Sequence, residues 1–586
     1  AAFTAALDTT AEITAYSGDT VANAARSFLA GVTTAAPSTD AVNTAVASVT
    51  NTSGSGSNEA GKSYVLTTAR DVLTGTNSGD FFRAVAGVQV GFQDQTTLNS
   101  SDIIDGGAGA DSLIVNMTGA AYNGGARIKN VETLKIGTNQ PAATFDYNVN
   151  AGSNEVENVE TVVADQINVG ETLSVVNVVR TDKNGAKLMP TLSWENDSNT
   201  VNAGTVNYTY RAAELTGSTD EQKIQLKSVT SGVLNLSAGV ETASVTSMGT
   251  ERVTLNNSSN LDSGNNAVAA DIVSAGSLTK VNLAGTAEIG KAAGIVAATG
   301  LTDRVAGADT GITTASTASN LLSVESRVTE VNASAATAAT NVRFVAKNDN
   351  SDTDVKYTGG SANDYVEFER GAVNADGGKG NDTFAFITTA AGITNSGFGS
   401  TDTVKGGEGT DVIQLGLNGS AGSTYTLSTT EFNNKTGIDE LDLRGANNDV
   451  TVSSEFVAAA DAGKFVIRTD KIVQSAAGTA NATGTGANED ASTSVINLTA
   501  LNQNQGIKVV GGSGSERVVV NNASLNAATE IDGGTNGAVA GRYDTVTVLN
   551  SAVLDSGDLA NVKNIESLVL AETVTGNSTF RIDLTE

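Results

Sequence analysis

The sequence contains no cysteine and no histidine among its 586 residues. Without cysteine the chain has no disulfide framework and no thiolate metal site, so a secreted protein of this kind needs another cross-link. Without histidine, a serine–histidine–aspartate triad, a cysteine–histidine dyad and a histidine zinc site are excluded. These absences remove the serine hydrolases and the zinc proteases from the candidate functions.

Aromatic residues and prolines are also scarce. The chain has 15 Phe, 10 Tyr, 1 Trp and 3 Pro. Small and β-branched side chains dominate instead, which favours thin β-structure over a thick helical core. Because proline does not guard the strand edges, charge, a bound ion or a neighbouring subunit must cover them.

Acidic residues outnumber basic ones by 64 to 34, which gives a formal net charge of −30. Nucleic acid phosphates would be repelled by such a chain, so the sequence predicts no nucleic-acid partner. The charge favours a divalent cation, although acidity that merely aids solubility is the plainer interpretation.

No apolar run approaches the roughly 18 residues of a transmembrane helix, so no transmembrane segment is predicted. The first basic residue is Arg26, so the start lacks the basic region of a secretory signal. Either a signal has been removed or export uses an uncleaved route, and both interpretations stay open.

A nonapeptide pattern, G-G-x-G-x-D-x-U-x with U a large apolar residue, occurs three times in full. Its glycines permit positive φ and bring backbone carbonyls together, and its aspartate adds a hard anionic oxygen of the kind that calcium binds. Each copy therefore predicts a calcium-binding turn followed by a strand. The copies start at Gly106, Gly377 and Gly406, and their inward-pointing U positions hold Leu113, Phe384 and Ile413.

Weaker copies extend the pattern. A degraded copy within residues 71–82 places Asp80 in the carboxylate role, and the copy at Gly359 has Ala362 as its fourth residue. The copy at Gly359 precedes that at Gly377 by two nonapeptides, which predicts one coil of a wound structure. Further on, Glu516 takes the aspartate position, where its extra methylene should distort the site.

Asp102 and Asp402 each lie four residues before the first glycine of a full copy. They either approach the same ion from the other side of the turn or simply begin turns. The predicted calcium ligands, backbone and side chain together, are Asp80, Asp102, Asp105, Gly106, Gly107, Gly109, Asp111, Gly359, Gly360, Asp364, Asp376, Gly377, Gly378, Gly380, Asp382, Asp402, Gly406, Gly407, Gly409, Asp411, Asp532 and Asp544.

A second pattern, typified by N-V-E-T-L, recurs at Asn130 to Ile136, Asn158 to Val163 and Asn564 to Leu570, with looser relatives between. Each copy is a turn residue, an acid and alternating apolar positions, so each predicts the start of a strand. A glutamate that recurs at every such position is interpreted as structural and not catalytic. Recurrence every 20 to 40 residues favours a β-solenoid, with a row of β-sandwiches as the alternative.

The predicted fold is therefore mainly β, a calcium-binding β-roll or parallel β-solenoid body with a small α-helical N-terminal domain. Asp19 can cap a helix that places Val21, Phe28 and Val32 on one face. The predicted divisions are a helical domain and possible envelope anchor at 1–50, a linker at 51–62, a β region with the first repeat at 63–120, a β body at 121–345, a calcium β-roll at 346–420, and a C-terminal β region with degenerate repeats and a possible secretion signal at 421–586.

These nonapeptides resemble those of RTX-type secreted proteins, and the whole arrangement is similar to the bacterial surface-layer proteins of that family. The resemblance implies calcium on the matched glycines and aspartates, type I secretion, and a non-enzymatic chain that self-assembles into a two-dimensional lattice on the outer cell surface. It also implies that residues 1–50 attach to lipopolysaccharide.

Two other functions are alternatives for this sequence. A calcium-dependent adhesin or extracellular matrix fibre protein would share the fold, although few aromatics weigh against a carbohydrate-binding surface. A calcium-dependent polysaccharide lyase needs no histidine but requires Arg or Lys beside the calcium carboxylates, and the sequence shows no such cluster.

Overall fold

The computed structural model describes residues 61–87, 96–147, 156–183, 186–197, 202–256, 271–273, 277–291, 321–324, 327–344, 354–369, 371–387, 397–416, 424–444, 447–461, 464–470, 493–502, 504–512, 514–534, 543–549, 553–555, 557–571 and 581–583. The helical domain predicted for 1–50 and most of the predicted linker lie outside these ranges. The chain divides into two compact units, Ala1–Ile167 with Glu171–Leu192 and Thr209–Glu214, and Asn168–Gly170 with Ser193–Tyr208 and Leu215–Glu586.

Short strands make up the described part of the first unit. Their apolar residues alternate with polar ones, so that Phe82, Ala84 and Ala86 are buried while Phe81 and Arg83 are exposed. The strands are β1 (Ser63–Val65), β2 (Val72–Thr74), β3 (Phe81–Ala86), β4 (Ile103–Asp105), β5 (Ser112–Met117), β6 (Ala121–Tyr122), β7 (Arg127–Lys129), β8 (Thr133–Thr138), β9 (Ala143–Asp146), β10 (Thr161–Asp165), β11 (Thr172–Val178), β12 (Thr181–Lys183) and β13 (Ala186–Leu188).

The second unit continues in the same way. Its strands, beginning with the first that lies mainly in this unit, are β14 (Thr191–Glu195), β15 (Thr205–Tyr210), β16 (Glu221–Lys227), β17 (Val233–Leu236), β18 (Thr242–Met248), β19 (Ile272–Val273), β20 (Lys280–Gly285), β21 (Leu322–Val324), β22 (Glu330–Ala336), β23 (Asn341–Phe344), β24 (Val355–Thr358), β25 (Tyr365–Phe368), β26 (Val373–Lys379), β27 (Thr383–Phe386), β28 (Thr403–Glu408), β29 (Val412–Leu415), β30 (Thr424–Leu427), β31 (Lys435–Thr436), β32 (Glu440–Leu443), β33 (Asn447–Thr451), β34 (Phe465–Arg468), β35 (Thr493–Asn497), β36 (Ile507–Val510), β37 (Ser515–Val520), β38 (Glu530–Asp532), β39 (Thr545–Leu549), β40 (Val553–Asp555), β41 (Val562–Lys563), β42 (Ser567–Ala571) and β43 (Arg581–Asp583).

Successive strands alternate between sheets, so each sheet is built from strands that are distant in sequence. In the first unit the orders are β1-β3-β5-β8-β10, β2-β4-β7 and β6-β9-β11. In the second they include β16-β18-β20-β22-β24-β26-β28-β31, β17-β19-β21-β23-β25-β27-β29-β32-β34-β36-β38-β41 and β30-β33-β35-β37-β39-β42.

The pairing is parallel in these sheets, and the hairpin β12–β13 is antiparallel. Tyr365 pairs with Thr383, so the 18-residue interval between the copies at Gly359 and Gly377 is one coil. Long parallel sheets agree with the predicted β-solenoid, whereas a row of β-sandwiches would need antiparallel sheets.

A thin apolar core runs along the coils. The predicted inward positions Leu113, Phe384 and Ile413 are all buried. Aromatic rings stack along this core in the second unit, where the rings of Phe344, Phe368 and Phe386 follow one another at centroid distances of 5.6 and 5.3 Å. Such packing compensates for the small side chains elsewhere.

Helical structure is limited in the described residues. Helix α1 (Ser454–Ala459) buries Phe456 and Ala459, and a 3-10 turn spans Ala212–Glu214. Within the described ranges, no helix combines the length and apolar character needed to cross a bilayer.

Candidate metal centre

Acidic side chains at the ends of the glycine turns connect successive coils. The amide of Asp80 donates to Oδ1 of Asp111 at 2.6 Å, and the amide of Asp111 donates to Oε2 of Glu132 at 2.7 Å. The same arrangement occurs twice more. We call these rows carboxylate ladders: the first is Asp80, Asp111 and Glu132, the second Asp364, Asp382, Asp411 and Asp439, and the third Glu516, Asp544 and Glu566.

The ladders show that the two sequence patterns occupy one structural position. Ser112 pairs with Thr133 and Thr545 with Ser567, so an N-V-E-T-L-type segment stacks directly on a glycine nonapeptide. Asn130 and Asn564 have φ of 51° and 53°, a conformation that asparagine tolerates better than most residues. The structural interpretation of these glutamates is therefore supported for Glu132 and Glu566, which end their ladders.

Several ladder acids keep one buried oxygen without a partner. Oδ1 of each aspartate accepts an amide, and Oε1 of Glu516 accepts the hydroxyl of Thr469. The second oxygen has no hydrogen bond within the described residues, for Asp111, Asp382, Asp411 and Asp544 (Oδ2) and for Glu516 (Oε2). Each of these residues is at most 1% exposed. A buried, unpaired carboxylate oxygen is costly, so it calls for a proton or a cation.

Burial is the main cause of the raised pKa values in the ladders. It raises the pKa of Asp111 to about 6, that of Asp411 to about 7 and that of Asp382 to about 9, and neighbouring acids add to the effect. The amide from the preceding acid acts in the opposite direction. Burial also raises the pKa of both Glu516 and Asp544.

The second glycine decides whether a turn leaves its carboxylate oxygen unpaired. Gly107 and Gly378 have φ of 97° and 92°, and their amides point back to Asp105 (3.3 Å) and Asp376 (3.2 Å), away from the ladder acid. The amide of Gly534 likewise donates to Oδ1 of Asp532 at 3.1 Å. We call a turn open when the second oxygen of its ladder acid is unpaired. The open turns end at Asp111, Asp382, Asp411 and Asp544.

Two predicted sites are instead closed by their own backbone. The amide of Thr76 donates to Oδ2 of Asp80 at 2.5 Å, and that of Gly360 donates to Oδ2 of Asp364 at 2.8 Å. Both oxygens of these carboxylates are therefore satisfied without an ion. The structure thus distinguishes these closed turns from the open ones, a distinction that the motif alone did not make for Asp364.

The first glycine makes room beside each unpaired oxygen. A Cβ on Gly106 would lie 2.7 Å from Oδ2 of Asp111, and one on Gly533 would lie 2.9 Å from Oδ2 of Asp544. The same Cβ positions meet a backbone carbonyl of the next coil, that of Asn130 or Asn564. Carboxylate and carbonyl oxygens together are the ligands that calcium prefers.

These donors are mixed and not purely acidic. Among the described residues no three acidic side chains converge in a way that could hold a metal ion by themselves. An ion at an open turn would therefore rely on backbone carbonyls in addition to one ladder carboxylate. Glycine is required there because a Cβ would occupy the position that these oxygen donors surround.

The acids directly before the glycine pairs are engaged elsewhere. Asp105 accepts from Lys129 at 2.8 Å, which holds the pKa of Asp105 below its usual value, and Asp376 pairs with Lys405 at 2.9 Å. Asp532 accepts from Asn564 at 2.7 Å. These predicted ligands stabilise the turn and contact the next coil, and they are not the source of the unpaired oxygens.

Asp102 and Asp402 begin turns at another corner of the coil. Asp102 accepts the amides of Asp71 (2.8 Å) and Asn99 (2.7 Å), and Asp402 accepts those of Val373 (2.9 Å) and Gly399 (2.7 Å). This geometry favours the turn-initiating interpretation over a shared ion. Sequence reasoning missed Asp71, which lies four residues before Gly75 and accepts the amide of Thr67.

Lys435 supplies a cation beside Asp402. It pairs with Val404 at a buried position, and its Nζ donates to the carbonyls of Gly399 (2.6 Å) and Asp402 (2.8 Å). The ammonium also lies 4.8 Å from the ring centre of Phe398. Burial lowers the pKa of Lys435 to about 8. An ammonium group, and not a metal, satisfies these carbonyls.

Arginines and acids share one row of the second unit, which is not one of the carboxylate ladders. Arg343 pairs with Glu367 (2.6 Å), and Asp442 accepts from Arg444 (2.7 Å). Burial raises the pKa of Glu367 despite Arg343, and it raises that of Tyr365 as well. A general base must reach its substrate, and Glu367 is only 2% exposed, so this row gives the lyase alternative no support.

No protein-family model matches the sequence, and a search of the curated proteins found no match. The resemblance to RTX proteins therefore rests on the nonapeptides themselves. Function has to be argued from the carboxylate ladders and their open turns.

Proposed function

We propose that the open turns bind calcium and that the ions join neighbouring coils of an extracellular structural protein. The observation that carries the proposal is the set of buried, unpaired oxygens of Asp111, Asp382, Asp411 and Asp544. The first glycine of each turn brings a carbonyl of the next coil to the same place. Calcium supplies the positive charge that these oxygens lack and accepts both kinds of donor.

The expected affinity suits a protein that folds outside the cell. Extracellular calcium modules bind with dissociation constants of roughly 10⁻⁴ to 10⁻³ M, so millimolar calcium fills them and cytosolic calcium does not. At ten times the dissociation constant, each site adds about 1.4 kcal/mol to folding stability. Each ion also offsets two charges of a chain whose net charge is −30.

A bacterial surface layer is the role that these features support best. The long parallel sheets of small side chains, the RTX-like turns, the acidity and the absence of histidine and cysteine fit a secreted, non-enzymatic structural chain. In this proposal copies of the protein assemble into a calcium-dependent two-dimensional lattice on the outer surface after type I secretion. The attachment of residues 1–50 to lipopolysaccharide is part of the same proposal.

Negative-stain electron microscopy of the purified protein, with 5 to 10 mM calcium (on the order of ten times the expected dissociation constant) or with a chelator, tests this function. An ordered sheet that forms only with calcium is the expected result. Fibres would favour the adhesin or matrix alternative. Monodisperse particles that bind no calcium in either condition would contradict the proposal.

A further inference from the structure

The open turn at Asp411 differs from the others in what lies beside it. Its unpaired Oδ2 is buried, and its amide donates to Oδ2 of Asp439 at 3.0 Å. The coil that follows presents Gly437, with φ of 63°, where the first ladder presents Asn130. Asp439 lies two residues after Gly437 and takes the ladder position, as Glu132 does two residues after Asn130.

An acid from outside the repeats also reaches this turn. Asp461 follows helix α1 and is exposed. Its Oδ2 lies 3.3 Å from the position that a Cβ on Gly437 would take, and that position is 3.0 and 3.5 Å from the amide nitrogens of Gly407 and Gly406. A Cβ on Gly406 would in turn meet both the carbonyl of Gly437 and Oδ2 of Asp411. The two carboxylate oxygens therefore border the same pair of glycines.

We propose that Asp461 is a second carboxylate ligand of a divalent cation held at Asp411, with the Gly437 carbonyl between them. The ion is of the hard, oxygen-binding class that includes calcium, because the donors are carboxylates and a carbonyl. This inference rests on the proposed function, since it adds a ligand to one of the open turns. It assigns a residue that belongs to no repeat.

The other open turns lack such an acid among their electrostatic neighbours. Around Asp111 these neighbours are Glu132, Asp80 and Asp105, all in repeat positions. Around Asp411 they are Asp439 and Asp461, whose charges add to the effect of burial in raising the pKa of Asp411. Calcium affinity rises with the number of charged ligands, so the site at Asp411 should be the tightest of the open turns.

Calcium titration calorimetry on the full chain tests the assignment with Asp411→Asn, Asp461→Asn, the double variant and Asp449→Asn. Asp449 is an exposed acid on β33, so its replacement controls for the loss of one negative charge. We expect Asp411→Asn to remove one site and Asp461→Asn to weaken the tightest site about tenfold. The double variant should bind as Asp411→Asn does, because both residues serve the same ion.

If Asp461→Asn and Asp449→Asn give the same isotherm while Asp411→Asn loses a site, the role of Asp461 is overturned and the proposed function stands. If the unaltered protein binds no calcium, the proposed function fails and this inference fails with it. Circular dichroism of each variant in chelator separates a ligand effect from unfolding. Because Asp461 is exposed, its replacement should leave the calcium-free spectrum unchanged.

Discussion

The amide of Asp382 donates a hydrogen bond to Oδ1 of Asp411, 2.7 Å away in the next coil. This bond holds one oxygen of Asp411 in place and leaves Oδ2 facing the glycine turn. Because the amide of Asp364 reaches Asp382 in the same way, each carboxylate of the ladder is oriented by the coil before it. Filling one open turn should therefore favour the geometry of the next, since all of them share the backbone of the ladder.

The contrast between open and closed turns predicts opposite effects for two similar substitutions. Asp382→Asn removes a buried carboxyl group whose ionisation is opposed by burial, so it should leave calcium-free stability unchanged or higher. It should also raise the calcium concentration needed for folding about tenfold, equal to about 1.4 kcal/mol. Asp111→Asn should behave likewise. Calcium-dependent thermal melting followed by circular dichroism measures both quantities.

Asp364→Asn is the matched control in the same ladder. Its amide group would face the Gly360 amide that now donates to Oδ2, so the calcium-free protein should lose about 1 to 3 kcal/mol of stability. Its calcium requirement, corrected for that loss, should not change. If Asp364→Asn and Asp382→Asn raise the calcium requirement equally, the division into open and closed turns is wrong.

The raised pKa values predict how calcium-free stability depends on pH. Burial raises the pKa of Asp382 from 3.8 to about 9 and that of Asp411 from 3.8 to about 7. Between these limits the folded state binds protons that the unfolded state has released, so the contribution of these two acids to stability falls as pH rises from about 4 to about 9. In chelator, the melting temperature should therefore rise when the pH is lowered from 8 to 5.

Calcium should flatten this dependence, because an ion stabilises the ionised carboxylates at high pH. The double variant Asp382→Asn/Asp411→Asn should lose much of the slope in chelator. A melting temperature in chelator that falls steadily between pH 8 and pH 5 would contradict the burial of protonated acids in the ladders.

The second glycine of an open turn cannot be replaced without strain. Gly378 has φ of 92°, and a Cβ there would meet the carbonyl of Gly360. Gly378→Ala should cost about 2 kcal/mol or more, since the left-handed conformation alone costs about 1 to 2 kcal/mol. Gly399→Ala is the control, because a Cβ there meets nothing within 4 Å, and it should change stability by less than about 0.5 kcal/mol. Urea unfolding in excess calcium compares the two.

Much of the fold could be predicted from the sequence because the nonapeptide fixes both a turn and a strand. The 18-residue interval between the copies at Gly359 and Gly377 gave the coil length, and position eight gave the core. The sequence did not predict that the glycine and N-V-E-T-L patterns occupy the same position in successive coils. Asn130 and Gly106 are neighbours only in the folded structure. Neither pattern shows that Asn130 turns the chain with a positive φ.

The candidate site was predictable in its aspartates but not in their roles. Asp105 and Asp111 both look like ligands in the motif, yet Lys129 from the next coil engages Asp105 and leaves the unpaired oxygen to Asp111. The closed turn at Asp364 has the motif's glycine pair, and only the backbone conformation of Gly360 shows that its amide fills the oxygen. Asp461 lies in no repeat, so no pattern could point to it.

Asp402 is expected to support folding without binding calcium. Its carboxylate accepts two backbone amides, and its carbonyl accepts Nζ of Lys435. Asp402→Asn should lower stability by about 1 to 3 kcal/mol with unchanged calcium stoichiometry. Lys435→Met should also destabilise, because three turn carbonyls would lose their donor. Loss of a calcium site in Asp402→Asn, measured by calorimetry, would restore the shared-ion interpretation.

The strand β42 makes a prediction about self-association. Leu568, Val569 and Leu570 are 41%, 40% and 37% exposed, although their partners in β39 (Val546, Thr547 and Val548) are buried. Such an apolar edge favours pairing with another chain. Val569→Lys should therefore lower calcium-dependent assembly at least about fivefold in sedimentation velocity, because a charge on an edge strand opposes strand pairing. Val169→Lys, which alters an exposed valine outside that edge, should have no such effect. Equal assembly of both variants and the unaltered protein would show that β42 takes no part in the contact between copies.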